Sequence, residues 1–327
     1  MAILLGDTPG LILDAGDDPD LLEAGSLVPP PGEYRPLWVA PDGSVMDLNP
    51  PGSGFFSLRT VSGLGAVPVE LVTTSSPDGG SIVDFVRAVD RTIIWPLRMR
   101  ADTHAEFRPL WRAVTEIITQ TRRLNKPGRL RLVREDGTMR EIPAWYAGGL
   151  EQDAEDGAWL RQTAPVALRC PAPWWTDVDP IGKEWLQDTP GDYLNPYPNI
   201  SSGQTIGAVK FTNDGVEPVW PAWTIRGPLT SLVATNTTRG ESFTLTKTLT
   251  RGQTVTISGR PIEVRGPAGE QGVDWVNLQT GGVLWRLDPM VSTAISFTAS
   301  GAAGESVAGA GDATSIKISF KRLYETA

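Results

Sequence analysis

The sequence predicts a mainly β protein with two domains, an α+β N-terminal domain followed by an antiparallel β-sandwich. A length of 327 residues gives two domains as a first expectation. The chain contains 35 glycines and 28 prolines without a repeating period, which favours many short strands and turns over long helices. Between about residues 206 and 321, turn signals recur at the spacing of roughly 8–12 residues that is typical of an antiparallel sandwich.

Composition shifts divide the chain into four segments. Residues 1–33 mix leucines with acids and end in a proline run, so they are expected to form an N-terminal arm, which either lies on a neighbouring subunit or tucks back locally. Residues 34–172 are expected to form a β-barrel or sandwich around one main helix. Residues 173–202 are rich in proline and are interpreted as a linker. Residues 203–327 form the predicted sandwich.

Several strands of the N-terminal domain can be placed from turn signals and β-rich runs. The turn at 41–44 predicts a hairpin of strands 37–39 and 45–48, and the turn at 76–80 follows a β-rich run. The continuous apolar run of residues 92–95 predicts a strand that is buried on both faces. The other predicted strands are 67–73, 81–89, 91–100, 129–133, 139–146 and 159–169.

One segment, at about residues 104–124, has the periodicity of a helix instead. Its apolar residues recur at the i, i+3, i+4, i+7 spacing of one helical face. Thr103 and Glu106 form a capping box, and the run Lys126-Pro127-Gly128 ends the helix. Pro109 lies late for a helix that starts at Thr103, so either the first turn is irregular or the helix starts near Phe107.

Residues that could carry chemistry are sparse. A catalytic pair of the only histidine, His104, and the only cysteine, Cys170, is disfavoured because they fall in different predicted elements. The same two residues cannot build a zinc site, and one cysteine allows no intramolecular disulfide. The acidic stretches 14–20 and 151–157 do not follow the order of a calcium-binding EF-hand loop, and no phosphate-binding glycine loop is present. We therefore predict no enzyme, cofactor or metal site, with a glycosidase using two carboxylates as the remaining catalytic hypothesis.

The formal net charge of −9 argues against a protein that grips nucleic acid by neutralising phosphates, but it is compatible with one that surrounds DNA. The N-terminal residues lack the basic region of a signal peptide, and no apolar stretch approaches the ~20 residues needed to cross a bilayer. A soluble protein made in the cytoplasm, without membrane insertion, is expected.

The segment from Phe211 to Arg286, with the residues just after it, contains a series of distinctive elements. They are Asn213, Asp214 and Gly215, then Pro218 through Trp223, Ile225, Gly227, Pro228, Asn236, Gly252, Trp275, Leu278, Trp285, Leu287 and Pro289. The N-terminal half adds the turn Asp78-Gly79-Gly80 and the strand 91–97. In pattern and order, these elements resemble the distal tail proteins (Dit-like baseplate hub or minor tail proteins) of long-tailed, siphovirus-type bacteriophages.

The resemblance implies a structural virion protein at the tail tip, assembled in the host cytoplasm. Its N-terminal domain would form a tail-tube-like hexameric ring that joins the tail tube to the host-adhesion proteins. Its C-terminal domain would be a galectin-like sandwich that holds receptor-binding proteins or touches host glycans. The implied partners are other copies of the chain, the tail tube protein, the tape-measure protein and tail-associated receptor-binding proteins, and DNA would only pass through the channel.

Two groups of residues are candidates for contacts with other subunits. Trp174 and Trp175 lie in the proline-rich linker, where exposed aromatic side chains are expected. A basic patch contains Arg122, Arg123 and Arg129, together with Lys126, Arg131 and Arg134. It is either a solvated helix end or a contact with acidic neighbours such as the N-terminal arm.

The alternative function is a carbohydrate-binding module that recognises host surface glycans. Trp220 and Trp223 are the candidate glycan contacts, since tryptophan rings can stack on sugars. Trp275 and Trp285 also lie beside acids, but they belong to alternating patterns. Such patterns predict strands in which the tryptophan side chains face the core.

Overall fold

The computed structural model describes residues 35–49, 55–57, 60–134, 136–151, 160–186, 204–301 and 313–327. The chain divides into two compact units, and the first consists of Met1–Val178 together with Tyr324–Ala327. The second unit is Asp179–Leu323. The predicted arm at 1–33, the acidic stretch at 14–20 and most of the stretch at 151–157 lie outside the described residues.

Unit 1 is built on one large antiparallel sheet that curls into a half-barrel. The sheet runs in the order β2-β1-β7-β8-β9-β6-β3, and β10 pairs with β8 beside this path. The strands are β1 (Arg35–Val39), β2 (Val45–Asp47), β3 (Phe55–Ser57), β4 (Val69–Ser75), β5 (Ser81–Ala88), β6 (Arg91–Arg100), β7 (Gly128–Val133), β8 (Met139–Gly148), β9 (Arg161–Cys170) and β10 (Trp175–Asp177). Strands β4 and β5 form a separate two-stranded sheet.

The predicted helix forms, but it breaks in two at Thr119. Helix α1 spans His104–Ile118 and α2 spans Gln120–Leu124. The Thr103 half of the predicted capping box is present, since the Thr103 hydroxyl accepts a 3.3 Å hydrogen bond from the backbone N–H of Glu106. The apolar face of α1 packs on the core of unit 1 through Phe107, Val114 and Ile118.

Strand β6 corrects one expectation about the core of unit 1. Its ends agree with the predicted strand 91–100, but only one of its faces is fully buried, and the other is half-buried except at exposed Thr92 and buried Pro96. Ile93 and Trp95 are buried, Thr92 is exposed and Ile94 is half-buried, so the strand is not buried on both faces. Four consecutive residues are too few to separate a two-faced strand from an alternating one when threonine occupies the outward position.

Unit 2 is a sandwich of two antiparallel sheets, which confirms the mainly β prediction for this part of the chain. One sheet has the order β11-β19-β13-β16-β17 and the other the order β12-β18-β14-β15. The strands are β11 (Ile181–Leu186), β12 (Gln204–Thr212), β13 (Ala222–Arg226), β14 (Ser231–Asn236), β15 (Glu241–Leu245), β16 (Thr254–Gly259), β17 (Ile262–Arg265), β18 (Ser292–Ser300) and β19 (Ser315–Phe320). The last short strand, β20 (Leu323–Tyr324), is not part of the sandwich and pairs with β10 in the large sheet.

The core of the sandwich is centred on Trp223. Its ring packs edge-to-face against Phe243 at a centroid distance of 5.1 Å and against Trp285 at 5.3 Å. Trp285 is therefore a core residue, as predicted. Trp275 is not on a strand, because Val273–Trp275 forms a short 3-10 helix and leaves the indole half-buried.

The proline-rich segment expected to be a linker contains regular structure in its described part. Strand β10 pairs with β8, with Thr176 opposite Glu141, and β11 pairs with β19 over six residue pairs. The expectation of an irregular linker is therefore wrong for residues 175–177 and 181–186. A proline disrupts a strand at its own position, and both of these strands lie in stretches between prolines.

Candidate interaction surfaces

The hairpin of β4 and β5 contains six of the 18 large apolar side chains that are exposed in the described residues. All but one of its fifteen strand residues are exposed, including Leu71 at 57%, Ile82 at 60% and Phe85 at 52% of their surface. The exposed large apolar side chains are Val69, Leu71, Ile82, Val83, Phe85 and Val86. In one chain, both faces of this hairpin are open to solvent.

The register of the hairpin separates its two faces. Directly opposite residues share a face, so Leu71 and Val86 lie on one side, and Glu70 and Arg87 on the other. We call the first side the apolar face, because it contains no charged residue; its pairs are Val69 with Ala88, Leu71 with Val86, Thr73 with Val83, and Ser75 with Ser81. The other side, which we call the charged face, contains the pairs Glu70 with Arg87, Val72 with Phe85, and Thr74 with Ile82.

On the charged face, polar interactions join β4 to β5. Arg87 forms an ion pair with Glu70 at 2.7 Å, and the Thr74 hydroxyl donates a 2.7 Å hydrogen bond to Asp84. The ladder shifts register after Val72, where β5 contains the additional residue Asp84. An isolated two-stranded hairpin is marginally stable in water, and an uncharged apolar face favours association. The apolar face therefore has the composition of a contact surface.

The sequence located both strands of this hairpin but gave no sign that they are exposed. Strand β5 contains the run Ile82-Val83 and the pair Phe85-Val86, which place apolar side chains on both faces. Within a single chain, such a pattern is typical of a buried strand. The same pattern suits a strand that is covered only after association.

The basic residues predicted as a contact form an exposed cluster. We define the basic ridge as Arg122, Arg123, Lys126 and Arg129, which run from α2 to the start of β7 and are all exposed. Asn125 adopts a left-handed conformation with φ 48° and ends α2, so the chain turns directly into β7. Arg131 and Arg134, further along, are half-buried.

The two tryptophans predicted as subunit contacts, Trp174 and Trp175, differ in their exposure. Trp175 has no exposed surface, because the pairing of β10 with β8 directs its side chain into the core of unit 1. The expectation of an exposed Trp175 is therefore wrong, whereas Trp174 is half-buried and its role as a contact stays a prediction.

The glycan candidates divide in the same way. Only 1% of Trp223 is exposed, so its ring cannot stack on a sugar in the folded protein. Trp220 is half-buried and lies over Gly259, where an added Cβ would come within 2.3 Å of the indole. Trp275 has Lys247 above its ring at 4.2 Å and Gly272 against it, so both contacts restrict its access to a ligand.

His104 and Cys170 are far apart. Strands β6 and β9 pair Arg100 with Arg161 at one end and Arg91 with Cys170 at the other. His104 follows the first end, and ten strand residues span about 30 Å. Cys170 is fully buried, and this burial raises the pKa of its thiol to about 12, although Arg91 opposes the shift. A thiol that holds its proton in this way is a poor nucleophile.

No group of three or more His, Cys, Asp or Glu side chains in the described residues could hold a metal ion. Glu151, the one described residue of its acidic stretch, is used locally. Its carboxylate accepts hydrogen bonds from the Tyr146 hydroxyl at 2.8 Å and the Gly149 N–H at 2.6 Å, which lower its pKa. Neither helix in the described part of the chain has the length and apolar character needed to cross a membrane.

Comparisons with known proteins place the fold but find no relative in sequence. No protein-family model and no curated protein sequence matches the chain. The crystal structure of the Dit protein (gp 19.1) of phage SPP1 is similar to this chain with a TM-score of 0.60 and 11% sequence identity, over 89% of this chain and all of that one. That protein is described as a paradigm of the hub adsorption apparatus in phages that infect Gram-positive hosts.

Two structures of the baseplate of phage P2 in its activated conformation, with calcium and with strontium, match more weakly. Each has a TM-score of 0.48 and 9% identity over 82% of this chain, and 97% and 98% of the baseplate chains are covered. The likeness to the SPP1 structure shows the fold, so the chain has the fold of the SPP1 Dit protein.

Proposed function

We propose that this protein is a structural component of a phage tail tip, where copies of the chain form a ring that joins the tail tube to the host-adhesion proteins. The observation that carries the proposal is the fold likeness to the SPP1 Dit protein, a hub protein, over 89% of this chain. A ring needs head-to-tail contacts between different surfaces of identical subunits. Six copies are the expected number.

The β4–β5 hairpin supports the proposal, because it supplies a surface that a ring could cover. Its apolar face has no charged residue, and both of its strands have an outer edge without a partner strand in the described residues. Unprotected strand edges and exposed apolar patches both promote association, so monomers commonly shield the first and limit the second. We assign the apolar face to the contact with the next subunit.

The role is structural rather than catalytic, and it requires no cofactor. Its partners are other copies of the chain, the tail tube protein above the ring, the tape-measure protein within it and receptor-binding proteins outside it. DNA passes through the channel without being gripped, in keeping with the net charge of −9. The protein assembles in the host cytoplasm and becomes part of the virion.

The test is the mass of the purified full-length protein by light scattering, with negative-stain images of the same fractions. A ring with six times the chain mass of 35.2 kDa is expected. A chain that stays monomeric at high concentration, both alone and with purified tail tubes, contradicts the proposal. Tail tubes are included because a ring can need a template.

A further inference from the structure

The basic ridge is a concentrated positive surface. Its four members, Arg122, Arg123, Lys126 and Arg129, fall within eight consecutive residues of a chain whose net charge is −9. All four are exposed in unit 1. Like charges at this density repel one another, so a nearby carboxylate-rich surface would lower the electrostatic free energy of the ridge.

The described carboxylates neutralise the ridge only in part. Glu141 is buried, pairs with Arg131 at 3.1 Å and lies 3.9 Å from Arg129. Arg123 donates a 2.8 Å hydrogen bond to the backbone carbonyl of Glu116, not to its carboxylate. Within the described residues, Arg122 and Lys126 form no ion pair.

The N-terminal segment has the opposite charge. Residues 1–33 contain no lysine, arginine or histidine, and they contain seven acids. The acids are Asp7, Asp14, Asp17, Asp18, Asp20, Glu23 and Glu33. The segment and the ridge are therefore complementary in sign, and leucines between the acids offer apolar contact as well.

The pairing of β1 with β7 places the N-terminal segment and the basic ridge at opposite ends of β7. Strand β1 pairs with β7 in antiparallel fashion, with Arg35 opposite Val133 and Val39 opposite Arg129. The segment consequently joins the sheet at one end of β7, and the ridge starts at the other end. The six residues of β7 span about 20 Å, a distance that roughly seven extended residues cover.

We propose that the acidic N-terminal segment docks on the basic ridge of its own copy of the chain. Single exposed ion pairs contribute only about 0–1 kcal/mol each, so a separate peptide with this charge would bind weakly. Attachment at β1 makes the docking intramolecular and raises the effective concentration of the segment at the ridge. The contact is electrostatic, so it weakens as salt is added. It does not depend on ring formation.

The test is carbodiimide cross-linking of the full-length protein, because this reagent joins a lysine amine to a carboxyl group in direct contact. Lys126 is the lysine of the ridge, and exposed Lys210 and Lys317 of unit 2 are the internal controls. Cross-links between Lys126 and the acids of residues 1–33 are expected, at a yield at least several times that of either control lysine. A 1:1 mixture of unlabelled and ¹⁵N-labelled protein identifies links within one copy.

Matched charge reversals sharpen the result. Arg122→Glu combined with Arg123→Glu should lower the Lys126 cross-link several-fold, as should 1 M salt. Arg260→Glu combined with Arg286→Glu makes the same charge change at exposed sites in unit 2, and this variant should keep the wild-type yield of the Lys126 cross-link. The proposal is overturned if Lys126 links no better than the control lysines, if its links join different copies, or if both double variants behave alike. The mass of the wild-type protein, measured separately, reports on the ring.

Discussion

The Arg91 guanidinium donates a 2.7 Å hydrogen bond to the backbone carbonyl of Glu325, a residue 234 positions away in the chain. The same side chain donates a 3.1 Å bond to the carbonyl of Gly63, and only 1% of it is exposed. Arg140 donates a 2.8 Å hydrogen bond to the backbone carbonyl of Thr326, the residue after Glu325. Unit 1 therefore includes the last residues of the described chain, and unit 2 is an insertion between its two parts.

Replacing Arg91 by methionine should destabilise unit 1. The change removes two hydrogen bonds that a buried, charged donor makes, and it should lower the free energy of unfolding by about 2–4 kcal/mol. Urea unfolding followed by tryptophan fluorescence measures the change.

Arg87→Met is the matched control for this prediction. Arg87 likewise bonds to an acceptor at close range, Glu70 at 2.7 Å, but both side chains of this pair are exposed. Exposed ion pairs contribute about 0–1 kcal/mol, so the control should lose little stability. Equal losses in the two variants would show that the buried guanidinium does not hold the C-terminal residues.

Local signals in the sequence predicted much of the secondary structure of the described residues. The capping box at Thr103, the hairpin turn at residues 41–44 and the ends of β6 are all determined by residues a few positions apart. Helix caps and turns depend on side chains that bond to their own neighbourhood, so these elements can be read from a single sequence.

Contacts between distant residues could not be predicted in this way. Trp175 was expected to be exposed because prolines surround it, yet its strand pairs with β8 and the indole is buried. The sequence also makes Trp223 a candidate glycan contact, whereas in the structure its ring is the centre of the core of unit 2. The exposure of the β4–β5 hairpin was missed, because a pattern of apolar residues does not say whether the same chain or another one covers them.

Stability at high pH should depend on Cys170. The pKa of its thiol is about 12 in the folded protein, against an ordinary value of 9.0, because burial penalises the thiolate. Between these values the unfolded chain loses a proton that the folded chain keeps, so the free energy of unfolding falls as pH rises from about 9 towards 12. The expected slope for this one group is about 1.4 kcal/mol per pH unit, and below pH 9 its contribution is fully present.

Cys170→Ala isolates this effect, because every other titrating group is retained. The difference in unfolding free energy between wild type and variant should be constant up to about pH 9, and should then shift in favour of the variant. Chemical denaturation at several pH values between 7 and 10.5 measures it. A difference that is independent of pH throughout that range would mean that the folded thiol titrates normally.

Truncation of Trp223 should damage the sandwich far more than truncation of Trp220. Trp223 packs against Phe243, Trp285 and Phe297 and is buried, so Trp223→Ala should cost about 3–5 kcal/mol of unfolding free energy in unit 2. Trp220 is only half-buried, and Trp220→Ala should cost less. Calorimetry of both variants measures the costs. Similar costs would mean that Trp223 is not the centre of the core.

The apolar face of the β4–β5 hairpin should determine assembly without affecting folding. Leu71→Lys and Val86→Lys place a charge on that face, where a subunit contact would have to bury it, so either substitution should shift the mass measured by light scattering from the ring towards the monomer. Both residues are exposed in the single chain, and the free energy of unfolding should therefore change by less than about 0.5 kcal/mol.

Thr74→Lys provides the control for the hairpin, because Thr74 is exposed on the charged face and already bonds to Asp84. A lysine there adds the same charge within the same strand, beside a carboxylate that can pair with it. Rings should persist in this variant while they are lost in the two variants of the apolar face. Loss of rings in all three variants would assign the contact to the whole hairpin, and persistence in all three would remove the hairpin from the subunit contact.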